Sequence, residues 1–412
     1  MIETLLKDDI SKCCGCFACK DVCPKGAIKT VADEEGFLYP EIDAEKCVSC
    51  GLCSKVCAYN KGNTGNRPEK VYAAASKDDV LLMKVASGGM FTVMAKSFIK
   101  SGGIVCGSAM FRTKNGFEVK HVFVEKEEEL ALLAGSKYVK SSTDGVFKGA
   151  KEILSAGKKL LFSGTPCQIA ALKSFLGRDY DELITVDIIC HGVPSQKFFN
   201  DHIKFYEKKH SCTVTDFRFR DKSRGQGMNY CITEENGNGT RRKVKNGKLN
   251  SFFGLFLKGS VYRKNCYSCP YASEKRVSDI TIGDYWGVYL EHAGEVRKAK
   301  LDNQKGISCV LVNTDKGSGF WETISADFHY LESDFRKVAA HNDQLVKPSV
   351  EPADRETVLD AYKNDGYKAV DDIYGNEIKL KKFVYLLEFY IPKSVKRNLM
   401  IALSGFKKLG RK

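Results

Sequence analysis

Two short stretches near the start of the chain decide how its first part folds: KCCGCFACKDVCP at residues 12–24 and KCVSCGLCSKVCA at residues 46–58. The second repeats the cysteine spacing of the first at a shift of 34 residues. Together they hold nine of the chain's 17 cysteines. Such dense cysteine in a chain without an evident secretory signal indicates metal ligation rather than disulfide bonds.

The spacing of these cysteines is the one that binds two cubane iron–sulfur clusters, with the fourth cysteine of each run crossing to the other cluster. We therefore predict a two-cluster 4Fe-4S ferredoxin domain at residues 1–64. The ligands predicted for the first cluster are Cys13, Cys16, Cys19 and Cys57, and those for the second are Cys47, Cys50, Cys53 and Cys23. Zinc sites do not use two interlocked runs of this kind. Cys14 is interpreted as a bystander.

Composition places the rest of the chain among ordinary globular proteins. The 412 residues are 43% hydrophobic and 28% charged, which excludes disordered and collagen-like classes. The formal charge is +14, but residues 377–412 alone carry a net +8, and no nucleic-acid-binding motif accompanies it. We therefore expect no nucleic-acid partner. The absence of a signal peptide and of a long apolar run predicts a cytoplasmic protein.

Hydrophobic patterning after residue 68 predicts a mixed α/β domain. The expected strands are Val71–Ala75, Ile104–Met110, Phe117–Val124, Lys159–Phe162, Leu183–Ile189 and Ile307–Asn313, and the expected helices are Met90–Lys100, Gly145–Ala156, Pro166–Leu176 and Gln196–Lys208. The alternation between residues 145 and 208 indicates parallel strands joined by helical crossovers. The predicted class is thus α+β or mixed α/β, with the small dicluster domain first, then a larger mixed-sheet domain (68–157 and 158–340), then a helical basic tail (341–412).

Four further cysteines have contexts that suggest a second constellation. Cys167 follows a strand and opens a helix, and Cys190 follows the next strand. Both therefore lie at the carboxyl edge of the sheet, where ligands bind in open α/β folds. Cys266 and Cys269 add a compact pair. From the residues alone, a four-thiolate site and a set of buried cysteines with an incomplete zinc pair remain open alternatives.

The middle of the chain resembles the family of coenzyme F420 hydrogenase/dehydrogenase beta subunits. The resemblance runs from about residue 70 to 320 and rests on SGGMF (87–91), GSKY (135–138), SGTPCQ (163–168), ICHGVPS (189–195), FRFRDK (217–222), CYSCPYA (266–272) and DITIGDYWG (279–287). Members of this family bind FAD and exchange electrons between it and 4Fe-4S clusters. The resemblance implies that Cys167, Cys190, Cys266 and Cys269 hold a third cluster, and that residues 68–340 form a flavin domain.

Three of these motifs supply the flavin contacts expected from the resemblance. The contacts are Ser87, Gly88, Gly89, Lys137, Tyr138, Asp279, Thr281 and Gly283. The Ser-Gly-Gly turn precedes a helix whose free amides suit a pyrophosphate. Lys137 offers a cation and Tyr138 a ring, although a solvated lysine and a core tyrosine are equally compatible. Asp279 is placed to meet a ribose hydroxyl, with a turn-capping acid as the alternative.

These features predict an iron–sulfur flavoprotein oxidoreductase that passes electrons between ferredoxin-type clusters and FAD. Its two-electron acceptor would be an organic substrate or a molecule like coenzyme F420. The alternative is a non-catalytic electron-transfer subunit serving a separate hydrogenase or dehydrogenase. No catalytic residue is assigned. The expected partners are a redox protein or a small-molecule acceptor, and the basic tail leaves open a peripheral contact with the inner membrane face.

Overall fold

The computed structural model describes residues 9–391 and residue 395. The strands are β1 (Ile28–Ala32), β2 (Leu38–Ile42), β3 (Lys70–Ser76), β4 (Ile104–Thr113), β5 (Gly116–Val124), β6 (Leu160–Gly164), β7 (Leu183–Ile188), β8 (Thr213–Arg218), β9 (Asn229–Asn236), β10 (Gly239–Asn246), β11 (Ile280–Asp284), β12 (Ser308–Val312) and β13 (Phe328–Ser333). The helices are α1 (Ala18–Asp21), α2 (Leu52–Lys55), α3 (Ala58–Lys61), α4 (Asp79–Lys84), α5 (Met90–Lys100), α6 (Leu130–Leu133), α7 (Val146–Ser155), α8 (Pro166–Leu176), α9 (Gln196–His210), α10 (Ser251–Lys258), α11 (Val288–Glu291), α12 (Glu295–Lys298), α13 (Asp315–Ile324), α14 (Phe335–Ala339), α15 (Arg355–Glu377) and α16 (Lys382–Tyr390). The predicted class, a small ferredoxin domain before a larger mixed-sheet domain and a helical C-terminal part, is confirmed.

The two cysteine runs fold as a structural repeat. Each forms a loop followed by a single helical turn, α1 or α2, and the strands β1 and β2 pair as an antiparallel hairpin between the runs. Two backbone positions in each run adopt positive φ: Gly15 and Phe17 in the first, and Ser49 and Gly51 in the second. These pairs are equivalent under the 34-residue shift, so the loops share one conformation although glycine occupies different positions in them.

An eight-stranded mixed sheet forms the centre of the molecule. Its strand order is β13-β3-β12-β11-β7-β6-β4-β5. The strands β4, β6, β7 and β11 run parallel, and antiparallel strands complete both edges. The helix α8 joins β6 to β7, as the predicted crossover requires. The parallel strands are almost entirely buried, because helices cover both faces of this part of the sheet.

A second sheet, of three antiparallel strands, has the order β10-β9-β8. It was not predicted from the sequence. An aromatic core holds it against the helices α9, α10 and α15. This core includes Phe199, Phe217, Phe252 and Tyr367. The helix α15 is interrupted at Gly366, whose φ of 74° is not helical. This sheet and its helices close one side of the cavity described below.

Backbone and side-chain contacts fix the ferredoxin part to the main domain. The carboxylate of Asp21 accepts hydrogen bonds from the amides of Gly145 (2.8 Å) and Phe147 (3.2 Å) at the start of α7. On another side, Arg263 Nε donates to the carbonyl of Cys13 at 2.6 Å, and its guanidinium lies 3.9 Å from the ring centroid of Tyr39. The cysteine loops are therefore held in a defined position relative to the large sheet.

The C-terminal part agrees with the predicted helical tail as far as residue 391. The helix α15 packs into the aromatic core, whereas α16 exposes large apolar side chains. The predicted basic segment beyond Pro392 lies outside the described residues, apart from Val395. In the described part of the chain, no helix is both long enough and apolar enough to cross a membrane.

Candidate iron–sulfur and flavin sites

The structure brings the four cysteines of the second constellation to one cavity. Cys167 lies in the first turn of α8, Cys190 lies just beyond β7, and Cys266 and Cys269 lie on a turn after α10. All four line a cavity of about 30 Å³. Thr165 and Gln168 form a capping box that sets the start of α8 and so the position of Cys167.

Burial is the main cause of the raised pKa of three of these thiols, those of Cys190, Cys266 and Cys269. Burial, followed by the charge of neighbouring cysteines, raises the pKa of Cys266 to about 12 and that of Cys269 to about 11. The pKa of Cys190 is also raised well above the usual value, first by burial and then by the same neighbours. Thiolates therefore need a bound metal to form here, because metal binding displaces the protons.

The cavity also holds an unpaired polar atom. Tyr271 is 1% exposed and lines the cavity, and its hydroxyl has no hydrogen-bond partner among the described residues. A buried hydroxyl without a partner costs about 1–3 kcal/mol. The same part of the chain contains no three Cys, His, Asp or Glu side chains close enough together for a single metal ion. Four cysteine side chains and an unpaired hydroxyl donor around one cavity form a set that fits an iron–sulfur cluster.

The first predicted ferredoxin site is also assembled. Cys13, Cys16, Cys19 and Cys57 line one cavity, so the crossing cysteine of the second run reaches the first loop. The amide of Gly15 donates to Cys13 Sγ at 3.3 Å, as expected for a loop that wraps a cluster.

The second predicted ferredoxin site is more open to solvent. Cys50 is exposed to solvent. The pKa of Cys53 is raised, first by partial burial of its thiol and then by the charges of Cys47 and Cys50. The amide of Ser49 donates to Cys47 Sγ at 3.4 Å, the counterpart of the Gly15 contact. Cys23 Sγ accepts from the amide of Ala27 at 3.3 Å, and its place in the second ligand set remains a prediction.

A larger cavity of about 350 Å³ lies at the carboxyl edge of the parallel strands. This volume is in the range of small-molecule sites, and the position is where α/β sheets bind ligands. Of the eight predicted flavin contacts, five line it: Ser87, Gly89, Lys137, Tyr138 and Gly283. Gly88, Asp279 and Thr281 do not.

The Ser-Gly-Gly turn packs directly against strands β3 and β12 of the large sheet. A side chain at Gly88 would meet the carbonyl of Ala74 at 2.3 Å, so only glycine fits there. Lys222, which the predictions omit, donates from its buried ammonium group to the carbonyls of Leu82 (2.6 Å), Ser87 (2.5 Å) and Lys305 (2.6 Å). The turn is therefore fixed in place, and the first-turn residues of α5 line the cavity.

Lys137 and Tyr138 line the cavity with their polar groups already engaged. The ammonium group of Lys137 donates to the carbonyls of Leu132, Leu133 and Ala134, and burial lowers its pKa to about 7. These three bonds use all of its hydrogens. The ring of Tyr138 stacks on Phe256 at 4.5 Å between centroids. Lys137 is therefore not the solvated lysine considered as an alternative from the sequence, whereas the packing of Tyr138 agrees with the core tyrosine considered there.

Asp279 and Thr281 are buried at the opposite end of β11. Asp279 accepts from the amide (2.7 Å) and hydroxyl (2.6 Å) of Thr185, and Thr281 accepts from Arg276 Nε at 3.1 Å. Gly283 lies four positions after Asp279 along the strand, which is a distance of roughly 13 Å. The side chains of Asp279 and Thr281 stabilise the sheet, and of the three contacts predicted on this strand Gly283 is the one that lines the large cavity.

A charged network that the predictions omit closes part of the large cavity. Arg220 donates to Asp284 at 2.7 Å and to the hydroxyl of Tyr138 at 3.1 Å, and Gln226 donates to Asp284 at 2.6 Å. Arg220 belongs to the FRFRDK motif, so the sequence pointed to this arginine. It did not indicate that Asp284 would be its partner.

The two cavities share a wall. Cys190, His191, Thr165 and Lys140 line both the four-cysteine cavity and the large cavity. Gly192 also belongs to this wall, and a side chain there would meet the ring of Tyr262 at 2.3 Å. A group bound by Cys190 would therefore lie directly beside a ligand in the large cavity.

Comparison with known proteins finds several similar chains. An uncharacterized protein of Methanocaldococcus jannaschii is 23% identical over 349 residues, which are 76% of this chain and 87% of that protein. One of the subunits of the F420H2 dehydrogenase from Methanosarcina mazei is 28% identical over 182 residues, which are 42% of this chain and 50% of that relative, so the match spans half of its length. A chain of the F420-reducing [NiFe] hydrogenase complex from Methanosarcina barkeri superposes with a TM-score of 0.43 and 16% identity, over 77% of this chain and 94% of that chain.

Family models match three consecutive parts of the chain. Residues 12–61 match the 4Fe-4S dicluster domain. Two models describe the coenzyme F420 hydrogenase/dehydrogenase beta subunit: the model of its N terminus matches residues 71–148, and the model of its C terminus matches residues 157–335. Because these two together match more than half of the chain, the protein belongs to the family of coenzyme F420 hydrogenase/dehydrogenase beta subunits and carries a 4Fe-4S dicluster domain in front of the family region.

Proposed function

We propose that this protein is an iron–sulfur flavoprotein that passes electrons between its two ferredoxin clusters, a third 4Fe-4S cluster and FAD. The observation that carries the proposal is the wall shared by the two cavities, which contains Cys190. Bound FAD would supply the conversion between one-electron transfer and two-electron transfer to an organic acceptor.

The chain offers the large cavity a set of groups suited to a dinucleotide. The first turn of α5 has no side-chain cap, and its residues Met90, Phe91 and Thr92 line the cavity. Unpaired amides at a helix N-terminus favour an anionic pyrophosphate. The rings and aliphatic groups around Tyr138 provide the apolar part of such a site.

The protein's own residues position the third cluster and limit its access to water. Cys167, Cys190, Cys266 and Cys269 would each provide one thiolate, and Tyr271 would donate its free hydroxyl hydrogen to a cluster or ligand sulfur. Lys140 lies between the two cavities, where its charge offsets the negative charge of the thiolates.

The partner of this electron chain is proposed from the relatives. The Methanosarcina mazei relative bears a name that makes it part of a larger dehydrogenase. We propose a protein redox partner at one end and a two-electron acceptor related to coenzyme F420 at the other. A non-catalytic role, in which a partner enzyme performs the two-electron step, is the second candidate. Reduction of coenzyme F420 by the isolated, chemically reduced protein separates the two.

Cofactor counting tests the proposal directly. Anaerobically purified protein should contain about twelve irons and one FAD per chain. The double variant Cys266→Ser/Cys269→Ser should retain about eight irons, while the matched variant Cys231→Ala, in the distant second sheet, should retain all twelve. Wild-type protein with about eight irons and no flavin would contradict the proposal.

A further inference from the structure

Cys14 is the cysteine that the predicted ligand sets leave out, yet it occupies a central position. Its side chain is 5% exposed, and it lines both the first ferredoxin cavity and the four-cysteine cavity. The first of these cavities is also lined by Cys16, and the second is also lined by Cys167. One thiol thus connects a predicted ligand of the first cluster to a predicted ligand of the third.

The surroundings of Cys14 show a second donor directed at the same place. Tyr271, also buried, has a hydroxyl without a partner among the described residues, and it lines the four-cysteine cavity. Tyr59, two residues after Cys57, lies edge-on to Tyr271 at 5.5 Å between ring centroids. Buried polar side chains therefore fill the gap between the two cysteine cavities. The sulfur atoms of bound clusters, which accept hydrogen bonds, would lie on either side of this gap.

We propose that Cys14 is a shared hydrogen-bond donor, which couples the first ferredoxin cluster to the third cluster and tunes the potentials of both. This inference rests on the third cluster proposed above. Each site already has four thiolates, so Cys14 is not needed as a ligand and stays a thiol. A thiol has one hydrogen, so Cys14 can donate to Cys16 or to Cys167 at any moment, but not to both.

The physical effect follows from the charge on the ligand sulfurs. A hydrogen bond to a sulfur stabilises the more negative, reduced cluster and so raises its potential. The single hydrogen of Cys14 favours whichever neighbouring ligand carries more charge. The second ferredoxin cluster has no such connection through Cys14, because none of its predicted ligands, all of which the structure describes, lines either of the two cavities that Cys14 lines.

Redox titration followed by EPR tests this role in the complete holoprotein. In Cys14→Ala, all three clusters should be retained, and the midpoint potentials of the first and third should fall while that of the second stays unchanged. Cys14→Ser keeps the volume and one hydroxyl hydrogen, so it should shift the midpoint potentials less than Cys14→Ala does. It also serves as the test variant if Cys14→Ala does not fold. Cys231→Ala, another buried cysteine, should shift none of them.

Three outcomes would count against the inference in different ways. Loss of about four irons in both Cys14 variants would make Cys14 a ligand and overturn it. Unchanged potentials with full iron would also overturn it, while leaving the proposed function intact. Wild-type protein with only about eight irons would remove the third cluster, and the failure would then be that of the proposed function.

Discussion

Lys140 is the cation at the point where the two candidate sites meet. It lines both cavities, and its ammonium group makes no hydrogen bond or ion pair with the described residues. We expect Lys140→Met to lower the potential of the third cluster by on the order of tens of millivolts, because a nearby cation stabilises the reduced state. EPR-monitored redox titration measures this shift.

The control for this change is an exposed lysine away from both cavities. Lys158→Met removes the same charge from a surface turn after α7. It should leave the potential unchanged, because solvent screens a distant exposed charge. Equal shifts in the two variants would mean that net charge, rather than the position of Lys140, sets the potential.

Lys222 supports the turn that opens the large cavity. Replacing it with methionine would leave the buried carbonyls of Leu82, Ser87 and Lys305 without their donor. We expect Lys222→Met to reduce the free energy of unfolding by about 2–4 kcal/mol and to lower flavin content. Denaturant titration and flavin release measure the two effects.

Lys305 provides the matched control, since its own ammonium group bonds only to Asp79 at the surface among the described residues. Lys305→Met should cost less than about 1 kcal/mol and leave flavin content intact. Flavin retention at the wild-type level in folded Lys222→Met would argue against a role of this turn in binding.

At the scale of elements, the two ends of β11 have different roles. Residues at its start stabilise the sheet, and residues at its end line the large cavity. Asp279 accepts two bonds from Thr185 and one from Thr314 at the buried end of the strand. We expect Asp279→Asn to reduce stability by about 1–3 kcal/mol while the folded protein keeps its flavin. Denaturant titration and flavin release measure both effects. A variant of full stability that lost its flavin would instead support the ribose contact predicted from the sequence.

Several elements could be predicted to the residue from local signals. The bounds of α5 and α8 agree with the predicted helices because Gly89, or Thr165 with Pro166, marks the start and the apolar period marks the length. The cysteine spacing defined the ferredoxin part in the same way. In both cases the information lies within a dozen residues of the element concerned.

Other features depend on contacts between distant parts of the chain. The strands β9 and β10 carry polar residues on both sides, and only packing of β9 on the aromatic core makes them a sheet. Arg220 belongs to the site through Asp284 and Tyr138, and Lys140 belongs to it through cavity walls formed by residues far away in sequence. Asp279 shows the converse: its motif suggested a cofactor contact, but the strand direction places it at the buried end.

The helix α16 presents an apolar surface that the described residues do not cover. Phe383 is 68% exposed and Leu387 is 44% exposed, and residues 392–412 carry seven basic and no acidic side chains. We expect Phe383→Ser/Leu387→Ser to weaken binding to vesicles containing phosphatidylserine without changing stability. Vesicle sedimentation measures this, with neutral phosphatidylcholine vesicles as the control; equal binding to both by wild-type protein would contradict it.

At the scale of the whole molecule, the candidate sites form one connected series. The exposed Cys50 loop lies at the outside, the first ferredoxin cavity adjoins the four-cysteine cavity through Cys14, and that cavity adjoins the large one through Cys190. This order follows from the way the dicluster part is attached, which the sequence repeat alone does not determine.

The contacts of Asp21 and Arg263 attach the dicluster part to the main domain at two separate points. An electron carrier on a loose tether must diffuse between donor and acceptor, so its turnover slows in viscous solvents. A carrier fixed at two points has no such search to make. Electron transfer within this protein should therefore proceed at the same rate in buffer and in concentrated glycerol, while delivery from an external donor slows in proportion to viscosity.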